Sequence, residues 1–418
     1  MPWTRTSFTN IMNLMNNTFK KARYIDIFAG CGGMSLGLCN SGWEGFFAVE
    51  KDKMAFGTLK HNLITHFDWP DWLPIRQHDI RRLISSYRKE LRFLRGSVDL
   101  VVGGPPCQGF SMAGRRKSND KRNKLVDSYI SFIDLVRPKF LFFENVYGFT
   151  TAIKEKTELI EKAYSDYVVK ELGNLGYNVA FEIIDFSEFG VPQRRKRFIL
   201  VGVKNGGATR FFGGLRRRKK VFLSKKNISS SVSAKEAISD LEKKYGKVPS
   251  QGMPSFNMGV YASARSNYQK LLRKKIENKK SLPDSHRFTN HSEDIIRKFR
   301  YILKNAERNK SIDSNIKTKF NIKKRNVTPL AKDKPSPTLT TLPDDYIHYS
   351  EPRILTVREY ARLQSFDDSF EFTGKYTTGG DRRKKEVPRY TQIGNAIPPL
   401  FGELAGEVFL QMREQESK

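Results

Sequence analysis

The chain has few cysteines and no long apolar run. Its 418 residues include only three cysteines, Cys31, Cys39 and Cys107. Three cysteines cannot form a disulfide framework, and these lack the paired spacing and the histidine partners of a zinc site, so we expect no metal. No stretch approaches the roughly 18 to 20 apolar residues of a membrane helix, and the N-terminus lacks the apolar block of a secretory signal. We therefore expect a protein that stays inside the cell and has no membrane partner.

Acidic residues are scarce relative to basic ones. The chain has 75 Lys and Arg against 44 Asp and Glu, a net charge of +31. Residues 203–330 carry 32 basic and 9 acidic side chains, a net of +23, which leaves +8 for the rest. A basic surface that served solubility alone would not need this clustering. The distribution favours a polyanionic partner such as a nucleic acid backbone.

Residues 24–202 alternate between short apolar runs and segments of helical period. The strand candidates are 24–28, 45–49, 98–102, 140–143, 178–184 and 197–201, and the helix candidates between them are 35–40, 54–61, 128–136 and 160–175. This alternation predicts an α/β fold with a doubly wound, mostly parallel, Rossmann-like sheet. In such sheets ligands bind beyond the carboxyl ends of the strands.

The pattern changes after Gly202. Four glycines followed by the basic run 216–220 predict a linker into a separate module; they are Gly206, Gly207, Gly213 and Gly214. We therefore predict a catalytic domain at 1–202, completed by 380–418, and a smaller, irregular, basic domain at 203–379.

Helical signals are also present in the second half of the chain. Ser233 and Glu236 have the spacing of a capping box, and residues 293–303 have the pattern of an amphipathic helix. Residues 356–366 and 400–412 also have helical period. We expect the last of these to pack back on the first domain.

A glycine-rich segment, DIFAGCGG at 26–33, follows the first predicted strand and opens a helix. Glycines allow close backbone approach, and a helix N-terminus offers unpaired N–H groups, so a cofactor is expected here, although a purely structural turn would look the same. Glu50 lies twenty residues beyond Gly30 and is placed to accept hydrogen bonds from ribose hydroxyls. Asp79, after a predicted third strand, could accept from an adenine amino group or simply cap a helix.

The loop GGPPCQGFS at 103–111 places Cys107 directly after a predicted strand, where a Pro-Pro pair restrains the chain. A thiolate is a strong nucleophile, and nearby positive charge lowers a thiol pKa, so Cys107 is the candidate nucleophile. Cys31 and Cys39 are interpreted as buried small apolar residues.

Two further motifs place charged side chains at strand ends. In FFENV at 142–146, the apolar run of a predicted strand stops at Glu144. If water is excluded, this carboxyl group could stay protonated and donate to a ring nitrogen; the alternative is a solvated carboxylate at a strand end. In QRRKR at 193–197, alternate side chains of a strand share a face, so Arg195 and Arg197 should point into the site and Arg194 and Lys196 away from it. In QIGNAIPP at 392–399, Asn395 could close the cofactor pocket or start a helix.

Together these segments resemble the DNA (cytosine-5) methyltransferase family. Six motifs occur in the family's order: DIFAGCGG, GGPPCQGFS, ENV, QRRKR, REYARLQSF and QIGNAIPP, spread over residues 24–399. The resemblance implies the cofactor S-adenosyl-L-methionine, with S-adenosyl-L-homocysteine as product, and double-stranded DNA as partner. It also implies that 203–345 is the variable part of a target-recognition domain, closed by PSPTLTT at 335–341. Cys31 in the cofactor loop has no chemical role in this interpretation.

The resemblance also implies site residues. The catalytic set is Cys107 as nucleophile, Glu144 on the cytosine ring nitrogen 3, and Arg195 with Arg197 on the cytosine and catalytic loop. The cofactor set has Phe28 stacked on adenine, Glu50 on the ribose and Asp79 with Ile80 beside the adenine, and its remaining members are Ala29, Gly30, Gly32, Gly33, Pro106, Leu125, Asn395 and Ala396.

The expected activity is methyl transfer to carbon 5 of a flipped cytosine in a specific duplex sequence, as the modification enzyme of a restriction-modification system. The resemblance suggests a separate restriction endonuclease partner, and we expect a monomer in the cytoplasm, associated with the nucleoid in a prokaryote. Two alternatives stay open from sequence: a tRNA cytosine-5 methyltransferase, which the long basic insert disfavours, and an inactive DNA-binding homologue.

Overall fold

A six-stranded sheet forms the centre of the first half of the chain. In the computed structural model, which describes residues 21–106, 123–150, 164–250, 252–276, 282–379, 382 and 385–416, its order is β2-β1-β3-β4-β6-β5. The strands are β1 (Arg23–Ile27), β2 (Glu44–Val49), β3 (Leu100–Gly103), β4 (Phe140–Val146), β5 (Asn178–Asp185) and β6 (Lys196–Val203). β1 to β4 pair in parallel, whereas β6 is antiparallel to both β4 and β5. The predicted mostly parallel sheet and its six strands are confirmed.

The helices cover both faces of this sheet and continue into the basic region. They are α1 (Gly33–Asn40), α2 (Lys53–Leu63), α3 (Ile80–Ser86), α4 (Arg88–Phe93), α5 (Asn123–Val136), α6 (Tyr164–Asn174), α7 (Thr209–Lys225), α8 (Ala234–Ile238), α9 (Asn267–Arg273), α10 (Glu293–Asn305), α11 (Ser314–Lys319), α12 (Val357–Leu363), α13 (Arg389–Asn395) and α14 (Pro399–Glu416). The four predicted helices of the first domain are present as α1, α2, α5 and α6; the first four residues of the predicted helix 160–175 lie outside the described residues. No helix in the described ranges is long and apolar enough to cross a membrane.

The predicted third strand before Asp79 is wrong. Residues 68–79 contain no strand, and Phe67 forms only an isolated bridge to Gly45. Pro70 and Pro74 interrupt this stretch, and proline cannot donate to a strand ladder. The chain returns to the sheet edge through the His78 N–H, which donates to the Glu50 carbonyl at 2.7 Å.

The predicted linker after Gly202 is also wrong, because most of it forms α7. Phe211, Leu215 and Phe222 on this helix are buried. Gly214 lies so close to α14 that a Cβ there would be 2.7 Å from a Val408 methyl group, so this glycine serves close helix packing rather than flexibility. The basic residues point outward and form ion pairs, among them Arg218 with Glu407 at 2.7 Å.

The basic region is built from short elements. The capping box of Ser233 and Glu236 begins α8, and the predicted amphipathic helix is α10. A hairpin joins β7 (Lys247–Ser250) to β8 (Met253–Gly259), and two-residue strands β9 (Thr328–Pro329) and β10 (Tyr346–Ile347) pair in parallel. The predicted helices at 356–366 and 400–412 are confirmed as α12 and α14.

Buried ion pairs connect this region to α12. Arg362 is fully buried and donates to both carboxylate oxygens of Asp240 and of Asp368. Arg353 pairs in the same way with buried Glu359 at 2.7 and 2.8 Å. Loss of one partner would leave an uncompensated buried charge. The Arg362–Asp240 pair therefore holds the basic region on α12, whereas the Arg353–Glu359 pair fixes the turn that leads into this helix.

The C-terminal helix α14 packs closely on α1, as expected. Trp43, after α1, donates its indole N–H to the Gly406 carbonyl at 3.0 Å. A Cβ on Gly37 would meet the Pro399 carbonyl oxygen at 2.5 Å and the Glu403 nitrogen at 2.6 Å. Both are backbone atoms that cannot move aside without shifting α14.

We predict that Gly37→Ala lowers the free energy of unfolding by about 2 kcal/mol or more, because overpacking against backbone forces the two helices apart. Chemical denaturation of the full chain measures this. The matched control is Gly173→Ala in α6, where a Cβ has nothing within 4 Å. That change should be neutral or stabilise by up to about 1 kcal/mol. Equal stability of the two variants would contradict the close helix contact.

Candidate active site

The carboxyl ends of the four parallel strands place three predicted site residues and one residue of the cysteine loop in one row. Ile27 is in register with Val49 on one side and Gly103 on the other, and Gly103 is in register with Phe143. The residues that follow are Phe28, Glu50, Gly104 and Glu144, and all four are half-buried. The sheet therefore brings the glycine-rich loop, the ribose candidate, the start of the cysteine loop and the catalytic acid candidate to one edge.

The glycine-rich loop after β1 has the left-handed backbone that its sequence requires. Phe28, Gly30 and Gly32 have φ values of 65°, 57° and 93°. The Ala29 N–H donates to the Val49 carbonyl at 3.0 Å, which holds the loop against β2. Gly32 is the N-cap of α1 and supplies no side-chain cap. Among the described residues, nothing lies within 4 Å of a Cβ built on Gly30, so the loop borders open space in this part of the chain.

Glu50 is tied to this loop by its carboxylate. One oxygen accepts from the Gly30 N–H at 2.9 Å, and the other accepts from the Asp52 N–H at 2.7 Å. Burial raises the pKa of Glu50, although these backbone hydrogen bonds act in the opposite direction. A carboxylate has about four lone-pair directions, so acceptor capacity is left for hydroxyl groups.

Asp79 caps α3, as one of its two sequence interpretations expects. Its carboxylate accepts from the Arg81 N–H at 3.0 Å and pairs with Lys51 at 3.3 Å. Partial burial acts to raise the pKa of Asp79, but hydrogen bonds from Arg81 and Lys51 outweigh it and lower the pKa to about 2. Asp79 stays close to Glu50 through the His78 hydrogen bond, and Ile80 beside it is buried.

Some of the remaining cofactor candidates lie in contact with their neighbours around this loop, and others are exposed. Leu125 and Phe28 are half-buried against the same apolar cluster beneath the sheet. A Cβ on Gly33 would lie 3.1 Å from the Ala396 methyl group, so the first and last motifs are in contact. Asn395, the last residue of α13, and Pro106 are exposed.

Glu144 forms an ion pair with Arg197 across the β4–β6 ladder. The Arg197 Nε lies 2.8 Å from a Glu144 oxygen, and the two side chains are only 12% and 14% exposed. A Cβ on Gly104 would lie 3.0 Å from the other Glu144 oxygen, and the Asn145 amide donates to the Pro105 carbonyl at 3.3 Å. The backbone that leads to Cys107 is thus anchored beside Glu144. Cys107 itself lies outside the described residues.

Arg195, directly before β6, and Arg197, its second residue, are buried or half-buried, whereas Arg194 and Lys196 are exposed, as the alternation predicts. The two arginines differ in what they contact. Arg195 is 2% exposed and donates to the carbonyls of Gly394 at 2.8 Å and Leu339 at 3.3 Å. Burial, followed by the charge of Arg197, lowers the pKa of Arg195. Its contacts make it a cross-link between β6, the 335–341 segment and α13.

Sequence reasoning missed two buried amides that join the later motifs. Gln193 is fully buried, and its amide donates to the side chain of Gln364, which in turn donates to the Ala396 carbonyl. The Gln193 oxygen accepts from the Leu339 N–H at 2.9 Å. The available signal was a glutamine at a strand start and another within an otherwise apolar helix end.

The two described cysteines are packing residues, as expected. Cys31 is buried, and its thiol points to the Gln392 carbonyl at 3.6 Å. Burial raises the pKa of both thiols, to about 11 for Cys39. Neither has the low thiol pKa of a nucleophile at neutral pH.

Asp26, the first residue of the glycine-rich motif, was not recognised as special from sequence. It is 2% exposed and accepts from the Ser35 hydroxyl at 2.6 Å. Burial raises the pKa of Asp26 to about 7, against the opposing effect of that hydrogen bond. The folded chain therefore holds a proton that the unfolded chain releases near pH 3.8.

We predict that Asp26→Asn becomes more stable relative to the parent chain as the pH rises from 4 to 7. The parent loses stability in this window, because the folded state binds more protons there than the unfolded state. Urea unfolding at several pH values measures the difference. Asp79→Asn is the control: its pKa lies near 2, so its difference from the parent should be constant above about pH 5. A flat Asp26→Asn difference would contradict the raised pKa.

A family model described as C-5 cytosine-specific DNA methylase matches residues 22–410. The chain is 32% identical over 393 residues to the type II methyltransferase M.DdeI of Desulfomicrobium norvegicum, covering 92% of this chain and 87% of that protein. It is 30% identical over 397 residues to the type II methyltransferase M1.HphI of Haemophilus parahaemolyticus, covering 94% and 88%.

Solved structures show the same fold at low sequence identity. One is described as a DNA modification methyltransferase encoded within an E. coli prophage, with a TM-score of 0.64 at 21% identity, covering 94% of this chain and all of that one. The Entamoeba histolytica methyltransferase EhMeth has a TM-score of 0.51 at 14% identity, covering 94% and 99%.

Proposed function

The chain belongs to the C-5 cytosine-specific DNA methylase family, and from that premise we propose how its residues carry out the reaction. It is a DNA (cytosine-5) methyltransferase. The observation that carries the residue assignments is the row of Phe28, Glu50, Gly104 and Glu144 at one sheet edge. With strands about 4.8 Å apart, Glu50 and Glu144 are separated by three strand spacings, about 14 Å. That distance leaves room for a nucleoside at one end and a base at the other.

We propose S-adenosyl-L-methionine as the methyl donor, held at the β1 and β2 ends. The residues present fit it: Gly30 borders open space, Glu50 has spare acceptor capacity for ribose hydroxyls, and Phe28 offers a half-buried ring. Asp79 with Ile80 would border the adenine, and the other contacts would come from Ala29, Gly32, Gly33, Pro106, Leu125, Asn395 and Ala396. When bound, the donor supplies an electrophilic methyl group on its sulfonium.

The protein's own groups would activate the cytosine. We propose that the Cys107 thiolate adds to carbon 6 while Glu144 hydrogen-bonds ring nitrogen 3, so that carbon 5 becomes nucleophilic. Carbon 5 would take the methyl group and leave S-adenosyl-L-homocysteine. A base from solvent would then remove the carbon 5 proton, the electron pair of that bond would restore the double bond between carbons 5 and 6, and the carbon–sulfur bond would break to release the thiolate. The anchoring of Gly104 and Pro105 on β4 supports this pairing, because it fixes the start of the cysteine loop beside Glu144.

Arg197 would hold Glu144 in place for this contact. In the ion pair, one carboxylate oxygen of Glu144 accepts a hydrogen bond from Arg197. The other carboxylate oxygen would then contact the base. For donation to nitrogen 3, Glu144 must acquire a proton when the base is bound. Arg195 would act through position, because its two terminal nitrogens donate to the carbonyls of Leu339 and Gly394.

Duplex DNA must give up its target base for this chemistry. Stacked neighbours shield carbon 6, so the cytosine must leave the helix at a cost of a few kcal/mol, which contacts to the protein must offset. We propose that residues 203–379 form the target-recognition domain, attached to the catalytic domain through α7, and that phosphate contacts make its affinity sensitive to salt.

The biological role is proposed from the relatives. The matched proteins are named type II methyltransferases, so we propose that this chain protects DNA as the modification enzyme of a restriction-modification system. A cognate endonuclease would act separately. We propose that the enzyme works as a monomer in the cytoplasm, at the nucleoid of a prokaryotic cell.

We predict that Cys107→Ser reduces methyl transfer on the order of 10³-fold or more, since a serine hydroxyl is a far weaker nucleophile than a thiolate. DNA affinity should stay within about twofold. Tritiated methyl transfer measures the first quantity, and gel-shift titration measures the second. The parent should also form a covalent adduct with 5-fluorocytosine DNA that the variant cannot form.

The matched control for the nucleophile is Cys39→Ser, whose half-buried thiol contacts the Tyr24 hydroxyl at 3.4 Å. It should retain turnover and the covalent adduct. Full turnover in Cys107→Ser, or an adduct at another residue, would remove the proposed mechanism.

We predict that Glu50→Gln weakens S-adenosyl-L-methionine binding about 10- to 100-fold, because a charged acceptor of hydroxyl hydrogen bonds is lost. Its amide nitrogen would also face the Gly30 donor. Calorimetric titration of the full chain with the cofactor measures this without requiring turnover. Glu188→Gln, which alters an exposed carboxylate paired with Lys219, is the control and should bind normally. Unchanged affinity in Glu50→Gln would place the ribose elsewhere.

A further inference from the structure

Arg287 lies beside the β7–β8 hairpin of the basic region. The Gly259 N–H donates to the His286 carbonyl at 3.0 Å, and the Phe288 N–H donates to the Asn257 carbonyl at 2.8 Å. Arg287 therefore forms an isolated antiparallel bridge with Met258 along the outer edge of β8. The hairpin end is open to solvent, and Met253 there is 50% exposed.

The guanidinium of Arg287 is held between two aromatic rings. Its Cζ lies 4.2 Å from the centre of the Phe256 ring and 3.7 Å from that of Tyr376. The Tyr376 ring also carries Arg389, whose Cζ is 4.3 Å away. The four side chains form one stack that joins the hairpin to the first residue of α13.

The edge of this guanidinium is left without a strong acceptor. Within the described residues its one hydrogen bond runs from Nη1 to the Met253 sulfur at 2.7 Å, and it has no ion pair with a carboxylate. Thioether sulfur is only a weak acceptor. Neighbouring arginines differ in this respect, since Arg358 pairs with Asp284 and Arg362 with Asp240.

The stack is close to the candidate active site. Arg389 begins α13, and the Gly394 carbonyl of the same helix accepts from Arg195 at 2.8 Å. Five residues of helix span about 8 Å. Arg389 itself donates to the Gly374 carbonyl at 3.0 Å and to the Ser285 hydroxyl at 2.8 Å, which fixes the end of the stack.

We propose that Arg287 reads a guanine of the recognised DNA sequence in the major groove. Rings on both faces leave only the edge of the guanidinium for hydrogen bonding, and that fork matches the O6 and N7 acceptors of guanine. The stack fixes the side chain before DNA binds, so less conformational entropy is lost on contact. A two-stranded ribbon such as β7–β8 is of a size that enters the major groove. The inference rests on the proposed function, the modification of a specific duplex sequence.

The test compares the parent with Arg287→Lys on duplexes that are randomised around a cytosine. Lysine keeps the charge and the contact with the rings but loses the planar fork. Bisulfite sequencing of the methylated products gives the preference at each position. We expect the variant to lose about 10- to 100-fold of its discrimination at one guanine position and to keep its preference elsewhere. Arg297→Lys on α10, an exposed arginine paired with Asp294, should leave every preference unchanged.

A second measurement changes the DNA instead of the protein. Replacing that guanine by 7-deazaguanine removes the N7 acceptor and should slow the parent enzyme about 10-fold. Arg287→Lys should be insensitive to the same replacement. This readout holds even if the protein variant is less stable.

Three results would overturn the inference. They are an unchanged base preference in Arg287→Lys, equal sensitivity of both enzymes to 7-deazaguanine, and a uniform loss at all positions with a salt slope smaller by about one, which would indicate a phosphate contact. A parent enzyme that methylates cytosine without any sequence preference would instead contradict the proposed function.

Discussion

The backbone hydrogen bonds between the four parallel strands are the constraint on which the candidate site depends. They fix Ile27, Val49, Gly103 and Phe143 in one register, and the residue that follows each of these is part of the candidate site. A slip of one residue would turn every following side chain to the opposite face. The strands are apolar on both faces, which specifies their burial, so the position of Glu50 relative to Glu144 follows from sheet geometry rather than from contacts between the two.

The distant segments are then held to this edge by buried polar groups. Gln193 donates to Gln364 and accepts from the Leu339 N–H. Gln364 donates to the Ala396 carbonyl, and Arg195 donates to the carbonyls of Leu339 and Gly394. A buried donor without an acceptor costs about 1–3 kcal/mol, so the alternative packings of these segments are disfavoured. Arg195 illustrates the cost, because it is a buried cation whose hydrogen bonds go to carbonyl and amide oxygens and whose Nε has no partner within the described residues. Arg195 therefore holds neighbouring segments of the site in position, whereas Arg197 contacts the carboxylate of Glu144 directly.

Sequence patterns predicted those parts of the molecule that are determined locally. The strands are continuous apolar runs, the capping box of Ser233 begins α8, and the alternation at the start of β6 separates buried Arg195 from exposed Arg194. The patterns failed where a distant partner decides the structure. Gly214 indicated a flexible linker, yet it lies in a helix because Val408 of α14 needs the space. Asp26 has its raised pKa because the sheet buries it, which no neighbouring residue indicates. The row of site residues could not be predicted without the order of the strands in the sheet, and the sequence patterns did not indicate that order.

The basic side chains of the basic region fall into two groups: those that pair with carboxylates of the protein and those that do not. Part of the positive charge is used inside the protein, since Arg216, Arg218 and Lys226 of α7 and its C-cap pair with Glu182, Glu407 and Glu403, which lie outside the basic region. These pairs reduce the field that net charge alone would suggest, and they hold α7 on α14. Charge available to DNA must therefore come from basic groups without carboxylate partners. Arg287 is such a group, and its aromatic stack fixes its direction as well as its place. Affinity for the phosphate backbone and choice of sequence would then depend on different residues, because mobile surface lysines supply charge whereas a fixed planar fork distinguishes one base from another.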